Sequence, residues 1–349
     1  MKLTLLSRRT GMWALAGAAL IAGAAACSES APPAPPPPPA PVVKSAEARV
    51  QWYQDCWGLF NDKAWDKFQA CYSDNVISET VDSAQPAVNG AANVIARGKA
   101  EATSFPDRRG EVRVVLGNGE KLASVALYTG TNTGPLPPGP DGKPGPVTGK
   151  PIGFLLAHTV DLDPPTGSKA IREAAYIEEG TMMAQLGLNP TPARKAEKPS
   201  GATTMVVIAK NDATEKANLA AAQAMFDAFN LHDAKAMEAM TPADYKAIEI
   251  ARPKDLGKKE SMAGLKEMFN AFPDVRLTIA TMWAAGDFVV ITGTFDGTNT
   301  GDMPSMGMKK TGKKVSSRFF ELVRFEAGKP KDDWLFYNSA AWAAQLGAK

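Results

Sequence analysis

Hydrophobic residues in the second half of the chain follow two successive periods. They first recur every three or four positions, which predicts three amphipathic helices, at 214–230, 233–240 and 261–270. They then alternate with polar residues at every second position, which predicts four strands, at 276–283, 288–295, 315–326 and 334–339. Helices followed by a run of antiparallel strands are typical of an α+β fold.

The first half repeats this order. Its pattern predicts three helices, at 50–60, 65–72 and 91–103, and then four strands, at 111–116, 122–128, 152–162 and 171–178. A long sheet with only three helices should curl around them. We therefore expect a pocket between the concave face of each sheet and its helices.

The two halves also share short strings in the same order. Gly-Thr-Asn-Thr-Gly occurs at 130–134 and again at 297–301, an offset of 167. Further matches are Phe-Pro-Asp at 105 and 272, Gly90 and Gly257, Thr-Gly-Lys at 148 and 311, and Ala-Gln-Leu-Gly at 184 and 344. We interpret these as two copies of one domain, at 46–188 and 212–349, joined by a linker at 189–211.

The N-terminus has the layout of an export signal. A basic start precedes an alanine-rich apolar run, and the small residues that end this run lie directly before Cys27. Residues 1–27 therefore resemble a bacterial lipoprotein signal in which Cys27 is lipidated; an ordinary cleaved signal is the alternative. The proline-rich segment 28–45 would then be an extended tether of roughly 40 Å. We expect a lipid-anchored protein in the cell envelope, on the periplasmic side.

The charge of the chain bears on its partners, and its cysteines bear on its disulfides. The chain has 39 Lys and Arg against 37 Asp and Glu, and removing residues 1–26 leaves 36 basic residues. A nearly neutral chain without a basic run argues against nucleic acid as a partner. An oxidising compartment would let Cys56 and Cys71 form a disulfide, and two buried thiols are the alternative.

The strings of the second copy resemble those of a known family. They are Gly293-Thr-Phe-Asp-Gly-Thr-Asn-Thr-Gly, Thr311-Gly-Lys-Lys-Val, Val323-Arg-Phe-Glu-Ala-Gly-Lys, Asp333-Trp and Gln345-Leu-Gly. They are similar to SnoaL-like polyketide (ester) cyclases, of the nuclear-transport-factor-2-like superfamily. The resemblance implies two cone-shaped domains, each a curved antiparallel sheet wrapped around three helices.

The resemblance also implies positions for a site. The family has an acid/base aspartate four residues after a tryptophan, and here Asn338 stands four residues after Trp334, with Glu178 as its mate in the first copy. Asn132 and Asn299 stand where the family often has histidine. These departures make the family's reaction an open question for this chain.

Strand alternation selects two further residues independently. Glu321 shares a strand face with apolar residues of 315–325, and His158 lies on an apolar face of 152–162 at the corresponding position of the first copy. An ionisable group on an apolar face is a candidate for a functional site, and a hydrogen-bonded core residue is the alternative.

We expect any catalysis to reside in the first copy, where His158 and Glu178 would form an acid/base pair. Asn132 should line the same cavity. Glu321, Asn338 and Asn299 should line the matching cavity of the second copy and bind the polar tip of an apolar ligand. The sequence has no zinc-binding spacing and no phosphate loop, so we expect no metal and no cofactor.

Three functions stay open. The protein could bind small apolar ligands in its pockets, it could be an ester cyclase, isomerase or hydrolase-like enzyme, or it could be a structural or assembly lipoprotein with filled pockets. The two copies could pack as an intramolecular pseudo-dimer, or the chain could form a homodimer.

Overall fold

The computed structural model describes residues 43–138, 142–164 and 166–347. The predicted signal, Cys27 and all but the end of the predicted tether lie outside these residues. The described residues belong to one compact unit that contains both copies.

The first copy and the linker form a seven-stranded sheet with four helices. The helices are α1 Ala46–Asn61, α2 Trp65–Gln69, α3 Ala91–Ser104 and α4 Glu179–Gln185. The strands are β1 Tyr72–Thr80, β2 Val88–Asn89, β3 Arg109–Asn118, β4 Lys121–Thr131, β5 Pro151–Leu162, β6 Ala170–Tyr176 and β7 Met205–Ile208. Their order across the sheet is β2-β1-β6-β5-β4-β3-β7.

The second copy forms a six-stranded sheet on the same plan. Its helices are α5 Ala213–Asn230, α6 Ala234–Met240, α7 Lys258–Ala271 and α8 Ser339–Leu346. Its strands are β8 Lys246–Glu249, β9 Leu256–Gly257, β10 Arg276–Ala285, β11 Phe288–Thr298, β12 Lys314–Glu326 and β13 Lys329–Phe336. Their order is β10-β11-β12-β13-β8-β9. The α+β class is confirmed.

We expected antiparallel sheets, but both sheets are mixed. β1 pairs parallel to β6, and β8 pairs parallel to β13. The sequence pattern predicted neither β1 nor β8. The predicted linker also contains a strand, since β7 pairs parallel to β3 at the edge of the first sheet. The last strand of the first copy ends two residues earlier than its sequence pattern suggests, and that of the second copy ends three residues earlier. A C-terminal helix follows each of them.

The two sheets pack against each other through a shared apolar cluster. It contains residues from both copies, with the rings of Tyr176 and Phe320 only 5.6 Å apart. The opposite face of each sheet packs on its own helices and forms a separate core. Alternate residues of one strand therefore enter different cores, both of them apolar.

Cys56 and Cys71 form a disulfide, with their Cα atoms 6.2 Å apart. Cys56 lies in α1, whereas Cys71 lies in the turn between α2 and β1 because α2 ends at Gln69 and not at residue 72. The bond ties the first helix to the start of the sheet, and the second copy has no equivalent bond among its described residues.

Candidate functional site

A cavity of about 910 Å³ lies between the helices and the sheet of the first copy. Its walls are mainly apolar and aromatic, and they include Trp52, Trp57, Phe60, Phe68, Phe154 and Leu156. A few polar side chains also line it, among them His158, Glu173, Arg97 and Glu101. Apolar walls with a few convergent polar groups are the usual composition of a small-molecule site.

His158 and Glu173 form the central polar pair of this cavity. His158 Nε2 lies 3.4 Å from Glu173 Oε2. The two strands set this distance: His158 on β5 lies opposite Ala175 on β6, so Glu173 is its diagonal neighbour on the same face. A carboxylate beside one ring nitrogen fixes the orientation of the imidazole.

The other ring nitrogen of His158 belongs to a chain of hydroxyls. The Tyr53 hydroxyl lies 2.9 Å from Nδ1 and 2.6 Å from Ser124 Oγ. With a neutral imidazole, Tyr53 donates to Nδ1; with a charged one, Nδ1 donates to Tyr53 and the hydroxyl turns toward Ser124. The chain therefore satisfies both protonation states of His158 without moving a heavy atom.

Glu173 is buried and held by several donors. Tyr72 donates to it over 3.1 Å, Ser78 also donates to it, and an Arg97 nitrogen lies 3.5 Å away. Burial alone would raise the pKa of Glu173, but the contact with His158, the Ser78 hydrogen bond and the Arg97 charge together hold it below the usual value. Glu173 is therefore a carboxylate that stays ionised inside an apolar cavity.

Glu101 is a second carboxyl group of the cavity wall, with the opposite tendency. Burial raises its pKa, and the charges of Arg97 and Arg108 only partly oppose this. It lies on α3 one helical turn after Arg97. When two carboxyl groups in one site have pKa values shifted in opposite directions, the one with the raised pKa can act as an acid and the other as a base.

We expected Glu178 to line the cavity, but it does not. It lies after the end of β6, where its carboxylate caps α4 by accepting from the backbone N–H groups of Gly180 and Thr181. The same carboxylate accepts from the backbone N–H and the hydroxyl of Ser339 in the second copy. Strand alternation contained a signal for the right residue, since residues 171, 173, 175 and 177 share one face. The family resemblance led away from it to Glu178.

Asn132 and Asn299 also lie outside the cavity wall, in two identical loop clamps. Each amide oxygen accepts from the backbone N–H and hydroxyl of a threonine, Thr148 or Thr311. Each amide nitrogen donates to a carbonyl two residues further on. Both asparagines are fully buried. The strings repeated between the copies thus hold the ends of the strands.

Other repeated strings act in the same way. Asp107 and Asp274, from the Phe-Pro-Asp strings, accept from the backbone N–H and hydroxyl of Thr131 and Thr298, the threonines next to the clamps. The glutamines of the Ala-Gln-Leu-Gly strings each bond both backbone groups of one residue at the start of a strand. The repeated strings therefore stabilise the fold and do not form a binding site.

In the second copy, Glu321 takes the place of His158. It lies opposite Leu335, so Asp333 is its diagonal neighbour, and Tyr245 donates to Asp333 over 2.7 Å as Tyr72 does to Glu173. Burial and the neighbouring Asp333 raise the pKa of Glu321. Burial also raises the pKa of Asp333 to about 6, against the opposing effect of Tyr245. The pair thus favours retention of protons where the first copy holds a histidine and an ionised carboxylate.

Asn338 lies at the junction of the copies and not in a described cavity. Its side-chain oxygen accepts from Ala341 N, which caps α8. Its amide nitrogen donates to the backbone carbonyl of Asp82 over 3.2 Å and to Glu179 over 2.9 Å, both in the first copy. Asn338 and Glu178 are thus equivalent helix caps that reach across to the other copy.

In residues 43–138, 142–164 and 166–347, no helix is long and apolar enough to cross a bilayer. In those same ranges, no group of three or more His, Cys, Asp or Glu side chains could hold a metal ion.

Comparison with known proteins gives a family for both copies. The sequence model described as SnoaL-like polyketide cyclase matches residues 47–186 and 219–346. Three similar solved structures each cover a fraction of this chain close to one copy. AclR from Streptomyces galilaeus is 24% identical and covers 39% of this chain and 87% of its own, with a TM-score of 0.35. TsrD from Streptomyces laurentii is 20% identical and covers 38% and 97%, with a TM-score of 0.34.

A third structure, from Catenulispora acidiphila, has a ketosteroid isomerase-like fold and was solved with trimethylamine. It is 18% identical and covers 37% of this chain and 93% of its own, with a TM-score of 0.32. No curated protein matches the chain significantly.

Proposed function

This chain belongs to the SnoaL-like polyketide cyclase family, and on that premise we propose that its first copy binds a small, mainly apolar molecule in the cavity beside His158. The observation that carries the proposal is the cavity itself, of about 910 Å³ with mainly apolar walls. A volume of this size suits a molecule of a few fused rings. The polar cluster of His158, Glu173 and Arg97 would bind its one polar end.

The alternative of a pocket filled by its own side chains does not describe the first copy, because its cavity is open. In the second copy, Phe319 stands at the position of Leu156, which lines the cavity of the first copy. The ring of Phe319 stacks on the ring of Phe226, with 6.2 Å between the ring centroids.

The proposal is tested with an apolar fluorophore, 1-anilinonaphthalene-8-sulfonate, titrated into the folded protein. We expect saturable binding that Leu156→Trp weakens by about tenfold or more, because the larger ring occupies part of the cavity next to His158. The matched control is Phe319→Trp at the equivalent position of the second copy, which should leave binding unchanged. Equal effects of the two changes, or no saturable binding by the unaltered protein, would refute the proposal.

A second candidate function, acid/base catalysis on an enolisable carbonyl compound, is supported by the His158–Glu173 pair. The pair would accept the proton next to the carbonyl group, and Glu101, whose pKa burial raises, would in its protonated form donate a hydrogen bond to the carbonyl oxygen. The proton returns to the same or a neighbouring carbon, so no oxidant, reductant or metal takes part.

Solvent deuterium incorporation into a bicyclic ketone, followed by NMR, tests this activity. We expect His158→Gln to lower the rate by about a hundredfold or more. Glu321→Gln, in the second copy, serves as the control and should retain the full rate. A rate that falls with Glu321→Gln and not with His158→Gln would assign the chemistry to the other copy.

We also propose that the protein is exported and held at the membrane through a lipid on Cys27. The order of basic start, apolar run, small residues and cysteine supports this, as does the Cys56–Cys71 disulfide. Cys27→Ser should move the protein from the membrane fraction to the soluble fraction. Unchanged sedimentation would contradict the proposal.

A further inference from the structure

One segment of the cavity rim is held by the other copy. Residues 81–87, here called the rim loop, connect β1 to β2, and Ser83, Gln85 and Pro86 within it line the cavity. Its backbone makes few hydrogen bonds to the rest of the first copy, the main one running from Val81 N to Ala175 O over 2.9 Å. A loop with so few local bonds depends on side-chain contacts to keep one conformation.

Asp82 of the rim loop supplies these contacts. Its Oδ1 accepts from Arg318 Nε over 2.9 Å, and its Oδ2 accepts from the backbone N–H of Arg318 over 2.6 Å and from Ser317 Oγ over 3.1 Å. The backbone carbonyl of Asp82 accepts from Asn338. All three donors belong to the second copy.

The anchor extends to either side of Asp82. Arg318 also donates to Glu79 at the end of β1, over 2.9 Å. On the other side, Ser83 donates to Glu179 over 2.6 Å, and Asn338 donates to the same carboxylate. The second copy therefore fixes the rim loop before, at and after its turn.

The backbone of Asp82 shows why an anchor is needed. Its φ of +54° lies in the left-handed region, which a residue other than glycine adopts at a cost of about 1 kcal/mol. Asp is among the residues that tolerate this region, but the conformation persists only where surrounding contacts impose it. Four hydrogen bonds from the second copy impose it here.

We propose that Arg318, together with Ser317 and Asn338, is a positioning residue for the cavity of the first copy. The second copy thereby sets the shape of a ligand site that it does not line. This inference rests on the proposed function, because it assigns to the tandem arrangement a role in ligand binding by the first copy. Arg318 itself acts only through Asp82 and Glu79.

The test compares Arg318→Ala with Arg324→Ala by hydrogen–deuterium exchange and by fluorophore titration. Arg324 lies on the same strand, is also partly exposed and pairs with Asp332 inside the second copy, so it is a matched control. Losing a partly exposed charge-assisted anchor should raise amide exchange in the rim loop by about three- to tenfold and weaken fluorophore binding by a similar factor. Arg324→Ala should change neither.

Asp82→Asn is a second variant that tests the same contact from the other side. Asparagine tolerates the left-handed conformation and keeps one oxygen acceptor, so this change removes the charge without straining the turn. We expect a smaller loss of protection, confined to the rim loop.

Unchanged exchange in the rim loop of Arg318→Ala would overturn the inference, whether or not the fluorophore binds. Increased exchange with unchanged affinity would also overturn it, because the loop would then be held without affecting the site. An unaltered protein that binds no fluorophore refutes the proposed function instead. In that case, exchange in the rim loop still decides whether Arg318 holds this segment.

Discussion

The two copies place a polar pair at the same point of the same fold, yet they use opposite chemistry there. The first copy has His158 beside Glu173, and the second has Glu321 beside Asp333. In each copy a tyrosine donates to the carboxyl group on the later strand, from Tyr72 or Tyr245. The scaffold therefore fixes where two ionisable groups meet, and the residue types decide whether the site holds a charge or a proton.

The difference shows how a duplicated domain can divide its tasks. The loop clamps, which hold each fold together, are the same in both copies, whereas the inward-facing pair differs. The first copy retains an open cavity with an ionised carboxylate. The second copy contributes Arg318 and Asn338 to the first, and its own pair favours the uncharged state. The predictions below test this division, beginning with the largest expected effect.

Glu173→Gln should cost about 3–5 kcal/mol of unfolding free energy at neutral pH, because it leaves Arg97 and the surrounding donors without their buried carboxylate. Asp333→Asn, the equivalent change in the second copy, should cost much less because the charged form of Asp333 is already disfavoured. Thermal and urea unfolding measure both. Equal losses in the two copies would contradict the proposed difference between the sites.

Removing the disulfide should be the next largest effect. Cys56 and Cys71 close a loop with a sequence separation of 15, and such a bond stabilises by roughly 3 kcal/mol, mainly by restricting the unfolded chain. The double change to serine, or reduction, should lower the melting temperature and weaken fluorophore binding, since both cysteines line the cavity. An unaltered melting temperature after complete reduction would show that the bond adds no stability.

The pH dependence of stability should have opposite signs in the two sites. The folded pKa of Glu173 lies below its usual 4.5, so its contribution is present above that value and is lost as the pH falls through the folded pKa. The folded pKa of Asp333, about 6, lies above its usual 3.8, so its contribution is present below 3.8 and is lost as the pH rises through about 6.

Unfolding should therefore be measured at about pH 4, 5, 6, 7 and 8 for the unaltered protein, Glu173→Gln and Asp333→Asn. Asp333→Asn should remove about 1–2 kcal/mol of the loss between pH 5 and pH 8. Glu173→Gln should remove part of the loss of unfolding free energy that the unaltered protein shows at acidic pH. Parallel curves for all three proteins would contradict both assignments.

The smallest difference between the copies is expected at the loop clamps. Asn132→Ala and Asn299→Ala should each cost about 1–3 kcal/mol, because each leaves buried backbone groups without partners. The two losses should be nearly equal. If Asn132→Ala weakened fluorophore binding by more than its loss of unfolding free energy explains, Asn132 would belong to the ligand site.

Much of this structure was predictable from local pattern. The repeat follows from the matching strings. The α+β class and the core segments of the main helices and strands follow from periodicity, because side chains on a strand alternate and those on a helix recur every turn. The first helix begins four residues before its predicted start, after the cap Ser45, whose side chain accepts from the first turn. Boundaries of this kind depend on a single hydrogen bond.

Tertiary structure decided which polar residues share a site. Both faces of each sheet are buried, one against its helices and one against the other sheet, so alternation alone does not say which face borders a cavity. Alternation would place Glu173 and Glu178 on opposite faces of one strand, but β6 ends at Tyr176. In the packed structure Glu178 caps a helix where the two copies meet, and Glu173 lines the cavity. The rim anchor by Arg318 joins residues 236 positions apart, and no local pattern reports a contact of that separation.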